Sequence, residues 1–272
     1  MGKKYKITDL KKNDFSLILS GGSSYGISHI GVLKFLEKNE LKPKEIIGTS
    51  MGSIIGALFA LGKDAREIKK LLKKINNMGI LEIHYLPIQK DYEKLHDFLK
   101  EIFGQRKISD CQINLKIIAT KLATGEGKIF TKKDEIYLCD AVMASISIPG
   151  IFPAKIINKE KYIDGGVFSN LGIEFAKKKN IKLASNAINQ TKKYIEIESK
   201  RKFLGLIKKR VNVLKYSIHY LLENQTKAKI PFIKKLILIE PNLNGFKKYL
   251  FDGYEKMIDI GYTETRRYFQ NV

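Results

Sequence analysis

The chain has 272 residues, 44% of them hydrophobic and 29% charged, which suits a globular protein with a sizeable core and excludes intrinsic disorder. Fifty lysines and arginines against 28 acids give a net charge of +22. That charge suits a polyanion or an anionic membrane, but no nucleic-acid-binding motif accompanies it. Cys111 and Cys139 offer neither a disulfide framework nor metal-ligand spacing, so a reducing compartment and no metal or cofactor are expected.

The basic start, MGKKYKITDLKKNDF, has no apolar stretch behind it. Nowhere does a run of about 18 apolar residues occur, the length that crosses a bilayer. A cytoplasmic protein is expected, one that meets any membrane from the water side.

Strand and helix signals alternate along the first third. FSLILS (15–20) is a short run of strand formers ending at Gly21-Gly22, and residues 27–39 repeat apolar side chains at helical spacing. KPKEIIGTS (42–50) is a second strand. MGSIIGALFALG after it is a helix apolar on all sides, which belongs inside a layered fold. Asp64 caps a further amphipathic helix, whereas 77–110 carries no clear pattern. Strands follow at 113–120 and 128–131, then a helix at 136–148 stopped by Pro149-Gly150, and a hairpin at 155–166. Two more strands are predicted at 181–188 and 234–241. Repeats and low-complexity linkers are missing, so one domain spanning 1–272 is expected, with a mainly parallel central sheet in an α/β three-layer sandwich.

Gly48-Thr49-Ser50-Met51-Gly52 is a G-x-S-x-G sequence between a strand signal and a helix signal. A turn this tight strains the serine's backbone and sets it at a helix N-terminus, where free amides stabilise a developing anion. On the pentapeptide alone, Ser50 reads equally as a nucleophile or as a helix cap. Gly21-Gly22-Ser23-Ser24-Tyr25-Gly26, on the preceding strand–helix unit, is a small-residue loop whose amides can cradle an oxyanion. It fits neither a dinucleotide fingerprint nor a P-loop. Of the four histidines, His29 reads as a packed helix residue, and His84, His96 and His219 lie in no loop suited to a base. A full Ser-His-Asp triad is therefore weak. Asp164-Gly165-Gly166 follows a strand and opens a glycine turn. Taken alone, Asp164 is a turn residue bonding its own backbone.

These segments occur together with SIPGIFPA (147–154) in an order and spacing that resembles the patatin-like phospholipases, and GYTETRR (261–267) resembles the last helix of the bacterial members. The resemblance implies a Ser50–Asp164 catalytic dyad, with amides of Gly21, Gly22, Ser23 and Ser24 as oxyanion hole. Gly26, Gly48, Gly52, Gly165 and Gly166 would be supporting glycines. It further implies a calcium-independent acyl hydrolase of phospholipid or lysophospholipid. Three departures stand out: Ser23 replaces a glycine, Tyr25 replaces a cation, and the proline expected near Gly172 is missing. The catalytic core would span about 14–188, and a C-terminal strand and helix 234–272.

Between them, residues 200–235 hold eleven lysines and arginines against one acid, Glu223. Phe203, Leu204, Ile207, Val211, Leu214, Ile218, Leu221 and Leu222 form one helical stripe there. This pattern is that of an interfacial helix or of a surface helix docked on the core, and Lys208, Lys209, Arg210 and Lys215 are the candidate membrane contacts. An esterase, thioesterase or neutral-lipid lipase with the same dyad remains open, as does a catalytically weak membrane-binding protein. Oligomeric state is not encoded in any of these patterns.

Overall fold

The computed structural model describes residues 4–77, 89–188, 217–246 and 253–272. Short helix α1 (Ile7–Lys12) leads into β1 (Phe15–Leu19), a 3-10 turn at Ser23–Ile27 and α2 (Ser28–Lys38). β2 (Glu45–Thr49), α3 (Met51–Ala60) and α4 (Ala65–Asn77) follow, and then α5 (Gln89–Phe103). β3 (Asn114–Lys121), β4 (Gly127–Phe130), α6 (Leu138–Ile146), β5 (Lys155–Ile157), β6 (Glu160–Asp164), the one-turn α7 (Gly166–Ser169) and β7 (Ile181–Ser185) complete the middle of the chain. Helix α8 is described over 217–229; β8 (Leu236–Ile239) and α9 (Tyr254–Gln270) close the fold.

One eight-stranded sheet runs β5-β6-β3-β2-β1-β7-β8, with β4 also paired to β3. The five strands from β3 to β8 are parallel, and β4, β5 and β6 are antiparallel. β1, β2 and β7 are buried at every position, as central parallel strands covered on both faces are, and the polar Ser16, Glu45 and Lys182 within them are buried as well. The fold is thus the expected α/β sandwich with a mainly parallel sheet. One face of the sheet, carrying Leu17, Leu19, Ile46 and Ile117, packs into a large core with α2, α3, α6 and α9. The opposite face, carrying Ile18, Ile47 and Ile118, has a smaller core completed by Leu171, Ile173 and Ala176.

Two helices approach at backbone distance. A Cβ on Gly31 of α2 would lie 2.0 Å from the Ile258 carbonyl oxygen, and one on Gly261 of α9 would lie 2.0 Å from that of Ser28. Glycine on both sides is what allows the crossing, and it locks the last helix onto the first large one.

Three helices went unpredicted, among them the one-turn α7 in the glycine turn after Asp164. α1 is short and lysine-rich, and α5 falls in the stretch with no clear pattern. The four lysine and arginine candidates, Lys208, Lys209, Arg210 and Lys215, lie outside the described residues, as does the apolar stripe from Phe203 to Leu214. Of the rest of that stripe, Ile218 and Leu222 are half-buried, whereas Leu221 is 68% exposed, so α8 does not bury the whole stripe against the core. Among the described residues no helix is long and apolar enough to cross a membrane.

Candidate active site

Ser50 sits where β2 turns into α3, with φ 51° and ψ −123°. That backbone is costly for a residue with a Cβ and persists only where neighbours over-determine it. They do so from both sides. The Ser50 amide donates to Ser145 Oγ at 2.9 Å, and the Ser50 carbonyl accepts from the Ser53 amide at 2.8 Å and the Ser53 hydroxyl at 2.7 Å. The flanking glycines are demanded by packing: a Cβ on Gly52 would lie 2.2 Å from the Leu19 carbonyl oxygen, and one on Gly48 would lie 2.6 Å from that of Gly52. The Ser50 hydroxyl makes no capping bond to α3, so the cap reading does not hold.

Asp164 ends β6. Thr49 pairs with Ile118 on β3, and Asp164 pairs with the next β3 residue, Ala119. Serine and aspartate therefore arrive at the same level of the sheet, both buried, and line one cleft. Asp164 Oδ1 accepts the Gly166 amide at 2.7 Å, so the turn role is real for one of its two oxygens. The end of α6 holds both segments. The Ser147 carbonyl accepts the Asp164 amide at 2.9 Å, and the Ser145 carbonyl accepts the Gly165 amide at 3.3 Å. Ser145 thereby touches the Ser50 turn through its side chain and the Asp164 turn through its backbone.

The glycine loop closes the cleft. Gly21 does not offer its amide to a substrate: it donates to the Asn170 carbonyl at 3.1 Å. The reason is topological, because the turn after Asp164 runs directly beneath the loop and anchors it there. The Gly22 and Ser23 amides make no hydrogen bond among the described residues. Ser23 adopts φ 51°, the left-handed region that a glycine would occupy at less cost. Ser24 is fully buried and faces away from water. Tyr25 does not stand in for a cation at the site; it is buried, and its hydroxyl donates to the Phe246 carbonyl at 2.7 Å.

His29 braces the loop from behind. Its Nε2 lies 2.9 Å from the Ser20 carbonyl oxygen, which can only accept, so Nε2 carries the proton and Nδ1 accepts from the Ser185 hydroxyl at 2.8 Å. Burial pushes its pKa down to about 4, partly offset by the Ser20 bond, so the ring is neutral at ordinary pH. The thiols of Cys111 and Cys139 are both free, and burial pushes each up to about 12.

Asn170 and Ser145 are site residues that the sequence did not single out. Asn170 lines the cleft, and its buried Nδ2 has no hydrogen-bond partner among the described residues. Its backbone amide donates to Gln225 Oε1 at 2.9 Å, while Gln225 Nε2 donates to the Phe168 carbonyl at 2.6 Å. Through Gln225, α8 is fastened to the turn that follows Asp164, and Ile218 and Leu222 of α8 line the cleft. Among the described residues no group of histidine, cysteine, aspartate and glutamate side chains could hold a metal ion.

The family model described as patatin-like phospholipase matches residues 17–177, which spans Ser50, Asp164 and the glycine loop. The chain belongs to the patatin-like phospholipase family. Curated relatives include Lysophospholipase NTE1 of Yarrowia lipolytica, 28% identical over 188 residues, which are 62% of this chain and 13% of the relative. The Eremothecium gossypii protein of the same name is 30% identical over 190 residues, 63% of this chain and 12% of the relative. This patatin-like chain thus matches only a small part of each relative's length. Its fold is similar to that of VipD from Legionella pneumophila, with a TM-score of 0.54 and 15% identity, over 95% of this chain and 67% of that one.

Proposed function

We propose that the protein is a lipid acyl hydrolase that releases fatty acid from phospholipid or lysophospholipid through a Ser50–Asp164 dyad. The reading rests on one observation: a strained serine whose hydroxyl caps no helix shares a cleft with Asp164 and with Gly22 and Ser23, whose amides make no hydrogen bond among the described residues. Family membership supports it, as do relatives named lysophospholipases. Ser50 Oγ attacks the ester carbonyl while Asp164 accepts its proton. The tetrahedral oxyanion takes the amides of Gly22 and Ser23, the helix start at Met51 adding its positive end. Collapse of the intermediate breaks the bond to the leaving oxygen, which takes the proton from Asp164. Water then attacks the acyl-enzyme while Asp164 takes its proton; as the bond between Ser50 Oγ and the acyl carbon breaks, that proton returns to Ser50 and fatty acid departs. Gly26, Gly48, Gly52, Gly165 and Gly166 keep the loops and helix at contact distance. Ser24 contributes to the loop's shape and Gly21 to its anchoring.

The whole chain works as one domain in this reading, in the cytoplasm, with residues 200–235 touching anionic membrane from one side and Lys208, Lys209, Arg210 and Lys215 as contacts. Wild type, Ser50→Ala and Asp164→Asn are to be incubated with a panel of acyl lipids while free fatty acid is followed. Each substitution is expected to lower kcat at least about 10³-fold. Activity surviving in both variants would defeat the dyad. A wild type inactive on every lipid would favour a membrane-binding protein without catalysis.

A further inference from the structure

We infer that acyl chain and leaving group occupy two separate clefts that meet at Ser50, and that the acyl chain lies in the one bounded by Met51, Ile54, Leu95, Ile146, Ile148 and Phe152. This rests on the hydrolase reading above and assigns the orientation of the substrate within it.

Among the described residues two clefts open at Ser50, of about 30 and 50 Å³. They have only Ser23, Ser50 and Ile148 in common. The second holds Asp164, Gly166 and Asn170, with Ile218 and Leu222 of α8 at its rim. Proton balance decides between them. The proton that Asp164 takes from Ser50 has to reach the leaving oxygen as the carbonyl carbon–oxygen bond breaks, so that oxygen lies on the Asp164 side. The carbonyl oxygen points at the amides of Gly22 and Ser23. The remaining substituent of the tetrahedral carbon is the acyl chain, and the first cleft is the space left for it.

The lining agrees with that assignment. Apart from Ser23 and Ser50 it is wholly apolar, which suits a hydrocarbon chain and offers a polar head group no partner. Ile54 lies one turn along α3 from Ser50 and is 1% exposed, and Leu95 of α5 is fully buried. The first cleft's own side chains leave it nearly closed, as they do the second cleft, so a chain enters by displacing them. Met51, unbranched and adaptable, is one that a chain can push aside.

The test is a series of single-chain esters of one leaving group, from butyrate to palmitate, assayed on wild type, Ile54→Trp, Ile54→Ala and Leu222→Trp. Wild-type kcat/KM is expected to rise about fourfold for each methylene that the cleft accepts. Ile54→Trp should lower the palmitate-to-butyrate ratio of kcat/KM at least about tenfold, by filling the space of several methylenes. Ile54→Ala should move the ratio the other way, and it stands in if the tryptophan variant does not fold. Leu222→Trp should change both esters alike. A ratio that follows Leu222→Trp and ignores both Ile54 variants would reverse the orientation and overturn the inference. No turnover of any ester by wild type would instead sink the hydrolase reading beneath it.

Discussion

Ser145 is fully buried in α6, and its hydroxyl is the acceptor for the amide of the strained Ser50. Removing that hydroxyl leaves a buried amide without a partner, which costs about 1–3 kcal/mol, and removes one of the two constraints on a φ of 51°. Ser145→Ala should therefore lower kcat by about 10²-fold, because displacing a reacting group by about an ångström costs that much. KM should hardly move, since Ser145 lines neither cleft. Steady-state kinetics beside a thermal melt check this: lost stability with kcat intact would limit Ser145 to folding. The contact spans 95 residues of sequence, and no local pattern encodes it. In the run AVMASISI a serine among alanines reads as ordinary helix. The turns that carry Ser50 and Asp164 were legible for the opposite reason, because glycines at fixed offsets mark backbone that a Cβ would obstruct, whereas the pairing of the two residues came from the family resemblance. Gly21 was legible as part of the loop but not as its anchor, since the partner, the Asn170 carbonyl, comes from a turn far along the chain.

Among the elements, the strands of the sheet were readable to within three residues at either end, because most are short runs rich in isoleucine and leucine. α5 was missed although Tyr92, Leu95, Phe98, Leu99 and Ile102 keep helical spacing. The strand formers Ile80, Ile83 and Tyr85 stand just before it and blur the period. α8 shows what an amphipathic pattern does and does not determine. The stripe is present, yet Ile218 and Leu222 turn to the cleft while Leu221 stays in water. The helix is oriented by Gln225 at the Asp164 turn and by Lys229, which donates to Ser169 Oγ at 3.0 Å and pairs with Glu174. A polar fastening overrides the apolar period. An exposed leucine on a basic segment beside the cleft suits an anionic surface, at about 1 kcal/mol per cation near the membrane. Neutralising Lys200, Arg201, Lys202, Lys208, Lys209 and Arg210 together should abolish binding to phosphatidylserine vesicles at low salt, measured by flotation. Binding equal to wild type would remove the segment from membrane recognition.

At the scale of the molecule, His29 links stability to pH. Its pKa is about 4 when folded and 6.5 when exposed, so between those values the unfolded chain binds the extra proton. The contribution is complete above the unfolded value and is lost as pH falls toward the folded one, by about 2 kcal/mol at pH ~5. Chemical denaturation of wild type and His29→Gln across that window should show a flatter dependence in the variant, which keeps an amide in place of a titrating ring. Equal slopes would assign the acid sensitivity to other groups. The sheet order carries another consequence, for the order of synthesis. β1 lies between β2 and β7, and α2 is covered only when α9 lays Gly261 against it. A ribosome making this chain delivers Ser50 before Asp164, and the clamping helix after both. In the proposed reading, the emerging polypeptide therefore stays without a packed dyad until the segments carrying Asp164 and α9 have both been translated.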